Sequence, residues 1–137
     1  MLTSAALRNA IAPSMIDEFP VLFVAAALAQ GTTTTAGLEE LRVKESDRLA
    51  VMAEALELAG AQVEEREDGL VITGTGGAPL PGTPEDAAVF THLDHRIAMS
   101  MAVAGLASTG GVQVDDTRPI GTSFPNFIAL LERLANG

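Results

Sequence analysis

The longest unbroken apolar run, Val21–Ala29, has no polar face, so a helix over it must be covered on every side. Ser14-Met15-Ile16-Asp17 has capping-box spacing just before it, Pro20 suits an early helical turn, and Gly31 ends the run. Thr32–Thr35 is β-branched and predicts a short strand closed by Gly37. From about Glu45 to Ala59, Leu49, Met52, Leu56 and Ala59 recur at helical spacing, with Gly60 as the stop. Ala61–Arg66 and Leu70–Thr73 read as two strands joined by Glu67-Asp68-Gly69, which has hairpin-turn chemistry. Gly74–Pro84 is a Gly- and Pro-rich loop, and Ala87–Phe90 has the composition of a short strand. Asp94-His95-Arg96 opens another helix, Ile97–Leu106, nearly apolar all round; Gly110-Gly111 ends it before a strand at Val112–Val114. Ser123 stands where an N-cap is expected for a last predicted helix, with Phe127, Ile128, Leu131 and Leu134 as its expected buried positions.

Helices alternating with strands predict a single α/β layered domain over residues 1–137. Helices apolar on all sides further predict that some lie inside, with sheet around them. Helix–Gly–strand junctions recur near Gly31, Gly60 and Gly111 at uneven spacing, and residues 1–13 read as the edge of something longer. The runs Val21–Ala29 and Ile97–Ala107 are short of the roughly 20 residues a membrane helix needs, so no membrane partner is expected.

Composition narrows the chemistry. The chain has five Phe, no Trp or Tyr, and no Cys, which removes disulfides, thiolate metal sites and a cysteine nucleophile. A formal net charge of -10 is the reverse of a nucleic-acid footprint. Yet of eight Lys and Arg residues, Arg42, Lys44 and Arg48 fall in one short stretch with Glu45. On a helix, Lys44 and Arg48 share a face one turn apart, and Glu45 neighbours Arg48. Cations at a helix start oppose the macrodipole by roughly 0.3–1 kcal/mol each. A bound anion would reverse that cost, because helix N-termini attract anions.

Each candidate also has a plain reading. The Lys44–Arg48 cluster can be a solvated first turn with local ion pairs. Asp17 can be the carboxylate of a capping box, Asp94 an N-cap. His95 and Arg96 then repeat the misfit of positive charge in a first turn, and one anion held between two helix starts would explain both cases. His92 and His95, three apart, make a poor metal pair without Cys or a second ligand cluster.

Four motifs carry a resemblance: Met15-Ile16-Asp17-Glu18-Phe19-Pro20, Leu38-Glu39-Glu40-Leu41-Arg42-Val43-Lys44-Glu45-Ser46-Asp47-Arg48, His92-Leu93-Asp94-His95-Arg96-Ile97-Ala98-Met99 and Thr122-Ser123-Phe124-Pro125. In this order they resemble the 5-enolpyruvylshikimate-3-phosphate synthase family, and look like its class II bacterial branch. The resemblance implies the C-terminal portion of a two-domain, cytoplasmic enzyme whose N-terminal domain is absent here. Its fold would be part of an inside-out α/β barrel of βαβαββ units, helices buried and sheets outside. The implied reaction transfers enolpyruvyl from phosphoenolpyruvate to the 5-hydroxyl of shikimate 3-phosphate, releasing phosphate, without metal or cofactor. By the same resemblance, Asp17 is the base at the shikimate hydroxyl and Glu45 the proton donor. Lys44 contacts the shikimate phosphate near the reacting centre, Arg48 and Arg96 grip phosphoenolpyruvate, and His95 neighbours that site. Thr122 stands where some members carry a Lys, and Glu40 where others carry an Asn. Arg42 and Arg118 are read as structural or surface residues. Two other readings compete: enolpyruvyl transfer to UDP-N-acetylglucosamine, disfavoured by the Lys-Glu-Ser-Asp-Arg motif, and a non-catalytic acidic binding module.

Overall fold

The computed structural model describes residues 13–115. A 3₁₀ turn, Pro13–Glu18, leads into helix α1, Phe19–Leu28, and strand β1, Thr32–Thr34. A second 3₁₀ turn, Glu39–Val43, precedes helix α2, Arg48–Leu58. Strands β2, Gln62–Arg66, and β3, Gly69–Thr73, form a hairpin with Glu67 and Asp68 at its tip. A long loop then reaches helix α3, His95–Leu106.

The three strands form one antiparallel sheet in the order β1-β3-β2. Ile72 lies between Thr33 and Val63 in register, and this row faces the helices; Ile72 and Thr33 are buried. On the alternate face Val71 lies between Thr34 and Glu64, as the two-residue period of a strand demands. β2 is an edge strand lined with Glu64, Glu65 and Arg66, charges that deter pairing with another chain. α1 and α2 pack on the sheet, and α3 packs mainly on α1. Leu49, Met52 and Leu56 of α2 meet Phe19 and Phe23 of α1, Leu70 and Ile72 of β3, and Ile97 and Met101 of α3 in one buried cluster. This is a small α/β unit with three helices among the described residues.

Several boundaries differ from the sequence expectation. α2 begins at Arg48 rather than near Glu45, because Asp47 caps it by accepting a hydrogen bond from the Ala50 N–H. Lys44 and Glu45 therefore sit in the turn before the helix. α1 begins at Phe19, after the expected capping box, and its N-cap residue Glu18 makes no side-chain cap. Pro20 in the first turn lacks an N–H, which leaves one fewer donor to satisfy. Ala87–Phe90 and Val112–Val114 do not extend into strands. They meet at a single parallel bridge, Val89 to Val114. The expected last helix, with Ser123, and the positions Arg118 and Thr122 lie outside the described residues.

Gly74 permits a close approach of two backbone segments. Its N–H bonds the Gly31 carbonyl at 2.9 Å, and an added Cβ would run into the Ala29 carbonyl oxygen. Gly74→Ala is expected to destabilise the domain by roughly 1–3 kcal/mol, as overpacking does, read as a lowered urea midpoint at constant slope.

Candidate functional site

The starts of all three helices meet at one point. Arg48, the first residue of α2, is buried to 1% exposure. Its guanidinium Nε donates to Asp94 Oδ2 at 2.9 Å and one Nη to Asp94 Oδ1 at 3.2 Å. Asp94 is the N-cap of α3 and also accepts from the Arg96 N–H at 3.0 Å and from Ser46 Oγ at 2.7 Å. The other Nη of Arg48 reaches Asp17, just before α1, at 3.2 Å. Glu45 completes the ring with an ion pair to Arg48. A single guanidinium thus ties three helix N-termini together through carboxylates.

Two features of local chain geometry make this possible. His92 and Leu93 are both left-handed, with φ of 55° and 58°. For residues with a Cβ that conformation costs roughly 1–2 kcal/mol each. It turns the backbone sharply, with Asp94 N–H closing on the Thr91 carbonyl at 3.0 Å, and delivers the Asp94 side chain inward. On the other side, Arg42 clamps the hairpin tip to the start of α2. It donates to the Glu67 and Arg66 carbonyls at 2.7 and 2.6 Å, and to Asp47 and Glu65 at 2.9 Å each. The sequence reading had Arg42 as structural or surface; these contacts give it a structural place.

Asp17 is the hub of the more open part. Lys44 Nζ lies 3.3 Å from the same Asp17 oxygen that Arg48 contacts, and 3.5 Å from Glu40. Arg96 Nη1 lies 3.6 Å from Glu18. Asp17, Glu18 and Arg96 line a cavity of about 150 Å³ together with Val21, Met99, Ser100 and Val103. Asp17, Lys44, Glu45, Arg48 and Arg96 are therefore brought together from three separate segments. His95 is half-buried at the first position of α3, next to them in sequence, while His92 turns away to pack edge-on against Phe90 at 4.3 Å.

The electrostatics follow from these contacts. Desolvation alone would raise the Asp17 carboxyl. The Lys44 hydrogen bond and the charges of Lys44, Arg48 and Arg96 outweigh it and hold the group below the ordinary carboxylate range. The same hydrogen bond, against slight desolvation, holds the Lys44 ammonium above its ordinary value, with the charges of Asp17 and Glu40 adding to it. Burial would also raise Asp94. Hydrogen bonds from Arg48 and Ser46, the Arg48 charge and the Arg96 N–H hold it low instead. The cation misfit at the start of α2 is thus answered inside the chain, where the sequence reading expected a bound anion to answer it. Asp94 was legible as a cap, but its partnership with Arg48 across 46 residues was not. No local signal distinguishes a buried arginine from an exposed one.

Chemically, the cluster offers a low-pKa carboxylate beside an ammonium, an exposed carboxylate at Glu45, and a half-exposed guanidinium at Arg96. Three helix N-termini add partial positive charge on the same side. Such a set has the chemistry to bind a small multiply charged anion and includes carboxylates able to transfer protons.

Two substitutions test this account. Asp94→Asn keeps a cap but removes the charge facing buried Arg48, and is expected to cost about 3 kcal/mol at neutral pH by chemical denaturation. The folded Asp94 carboxyl lies below its unfolded value. Its contribution is therefore complete above the ordinary carboxylate range and lost as pH falls through the folded value, so the wild-type advantage over Asp94→Asn should shrink in acid. Lys44→Met should raise the Asp17 pKa toward the ordinary range, as read by carboxyl carbon NMR titration.

Comparison with known proteins fits this geometry. Residues 4–131 match the family described as EPSP synthase (3-phosphoshikimate 1-carboxyvinyltransferase). A 3-phosphoshikimate 1-carboxyvinyltransferase from Novosphingobium aromaticivorans is 71% identical over 132 residues, covering 96% of this chain and 30% of the relative. The same enzyme from Zymomonas mobilis is 60% identical, covering 90% of this chain and 27% of its own length. A solved EPSP synthase from Acinetobacter baumannii superposes with a TM-score of 0.82 at 42% identity, over 96% of this chain and 29% of that one. The chain spans under a third of the length of these relatives. With the family match running through nearly all of its residues, the chain belongs to the EPSP synthase (3-phosphoshikimate 1-carboxyvinyltransferase) family.

Proposed function

We propose that this chain is the C-terminal portion of a class II-like, cytoplasmic EPSP synthase and supplies half of its active site. The enzyme would transfer enolpyruvyl from phosphoenolpyruvate to the 5-hydroxyl of shikimate 3-phosphate and release phosphate. The observation that carries this reading is the convergence of Asp17, Lys44, Glu45, Arg48 and Arg96 on one spot at three helix starts. The family resemblance adds the rest. The three-helix unit would form part of an inside-out barrel in a two-domain enzyme, and the N-terminal domain would bring the remaining cations.

Each side chain has a task that its surroundings suit. Asp17 accepts the proton of the attacking hydroxyl. In the ligand-free arrangement Lys44 keeps it a weak base, because the ammonium stabilises the carboxylate. When Lys44 turns to the substrate phosphate, that stabilisation falls and Asp17 becomes more basic, which couples substrate binding to base strength. Glu45, reaching solvent at its carboxyl end, gives a proton to the phosphoenolpyruvate methylene and takes one back from the resulting methyl as phosphate leaves, which restores the enol double bond. Arg48 is fixed by Asp94, so its two Nη groups present a forked edge; Asp17 and Glu45 occupy that edge here, and phosphoenolpyruvate would share it with Arg96. His95 lies beside Arg96 at the edge of this anion pocket.

The lone chain is expected not to turn over. Mixing it with the part of the Novosphingobium aromaticivorans relative that it does not cover should restore phosphate release that depends on both substrates. In that reconstituted enzyme Glu45→Gln should lower kcat by roughly 10²–10⁴, the usual contribution of a general acid. Turnover by the lone chain, or an unchanged kcat in Glu45→Gln, would contradict the assignment.

A further inference from the structure

The turn that carries Asp94 is pinned at its other end by Asp115, a residue outside the motifs that carry the family resemblance. Asp115 Oδ1 accepts from the Thr91 N–H at 3.0 Å and from the Thr91 hydroxyl at 2.8 Å. Backbone bonds close the parallel bridge beside it. The Val89 N–H donates to the Gln113 carbonyl at 2.8 Å, and the Asp115 N–H to the Val89 carbonyl at 2.9 Å. Residues 89–91 precede α3 and residues 113–115 follow it, so the chain leaving the helix braces the chain that enters it. Thr91 and Asp94 are both fully buried, and between them stand the left-handed His92 and Leu93. Two such residues with side chains persist only where the surroundings over-determine them. Asp115 holds one end of the turn; Arg48 and Ser46 hold the other, at Asp94.

We infer that Asp115 is a positioning residue of the anion site: through Thr91 it holds the left-handed turn that aims Asp94 at Arg48. It thereby sets the guanidinium edge that Arg48 offers, and the start of α3 from which Arg96 projects. Removing the Asp115 carboxylate leaves the Thr91 N–H and hydroxyl without their acceptor in a buried turn, which is costly. The chain relieves that cost by letting His92 and Leu93 relax toward the right-handed region, which swings Asp94 away from Arg48. Asp115→Asn keeps an oxygen in the accepting position and is the conservative variant. The geometric half of the inference stands on these contacts alone. Its bearing on turnover rests on the synthase reading, in which Arg48 and Arg96 share phosphoenolpyruvate.

Thr83 provides the control, because its hydroxyl oxygen accepts from the Gln113 N–H at 3.0 Å and so braces the same returning segment through a different residue. Wild-type chain, Asp115→Ala, Asp115→Asn and Thr83→Val are compared by two NMR readouts: the titration of the Asp94 carboxyl carbon and the hydrogen exchange of the Arg48 Nε–H. Circular dichroism melts confirm folding. If Asp115→Ala melts early, Thr91→Val, which removes only the hydroxyl bond, takes its place with the same expectation. In Asp115→Ala the Asp94 carboxyl should rise toward the ordinary range, and the Arg48 Nε–H should exchange roughly tenfold faster. Asp115→Asn and Thr83→Val should match wild type. A folded Asp115→Ala with both readouts at wild-type values overturns the inference. So does a Thr83→Val that moves them as far, since general loosening would then account for both. In mixtures with the uncovered remainder of the Novosphingobium aromaticivorans relative, Asp115→Ala should raise the KM for phosphoenolpyruvate roughly tenfold, with most of the loss in KM rather than kcat. Active mixtures in which that KM stays at the wild-type value would overturn the bearing on substrate. Wild-type mixtures that never turn over, with both NMR readouts moved as expected, would sink the synthase reading and leave the positioning role standing.

Discussion

The domain depends on the charge of Arg48 being neutralised where water cannot reach it. Moving an unpaired guanidinium out of water costs several kcal/mol, a large part of a small domain's net stability. Asp94 meets it with two hydrogen bonds, and Asp17 and Glu45 take the remaining edge. An apolar pair of similar volume in place of both Arg48 and Asp94 could fill the same space at no electrostatic cost. What it could not do is fix the directions of three helix starts at once. The ion pair therefore explains position better than it explains stability, and position is what an anion site needs.

That constraint spreads outward through the side chains that hold its members. Ser46 and the Arg96 N–H occupy the free lone pairs of Asp94, so no polar group around the buried charge is left without a partner among the described residues. The left-handed pair His92-Leu93 sets the angle at which Asp94 enters. Arg42 ties the start of α2 to the β2–β3 hairpin, so the sheet and the site share one frame. Lys44 and Glu45 hang from this frame on a short turn rather than within the helix. Lys44 pairs with Asp17 and Glu45 with Arg48, and the Glu45 side chain is exposed.

Much of this was legible along the chain. The hairpin at Glu67-Asp68 showed in its turn residues, the cap at Asp94 in its place before an apolar run, and α1 in its lack of any polar face. The start of α2 was less so. Lys44, Glu45 and Asp47 are all compatible with a first turn, and the choice fell to Asp47 because its carboxylate reaches the Ala50 N–H. Ala87–Phe90 and Val112–Val114 have the composition of strands, but a strand exists only where a partner runs alongside, and they meet at one bridge.

By itself the sequence determined the three helices, the β2–β3 hairpin and the candidate residues, because periodicity, caps and glycine stops act over a few neighbouring positions. It also placed Asp17, Lys44, Glu45, Arg48, His95 and Arg96 in motifs of one enzyme family. Only the tertiary structure decided which charges meet. Arg48 finds Asp17 31 residues away and Asp94 46 residues away, and whether a guanidinium is buried depends on what those distant segments bring to it. Coulomb attraction and desolvation act through space, so the pairing that holds this site could be settled only once the chain had folded.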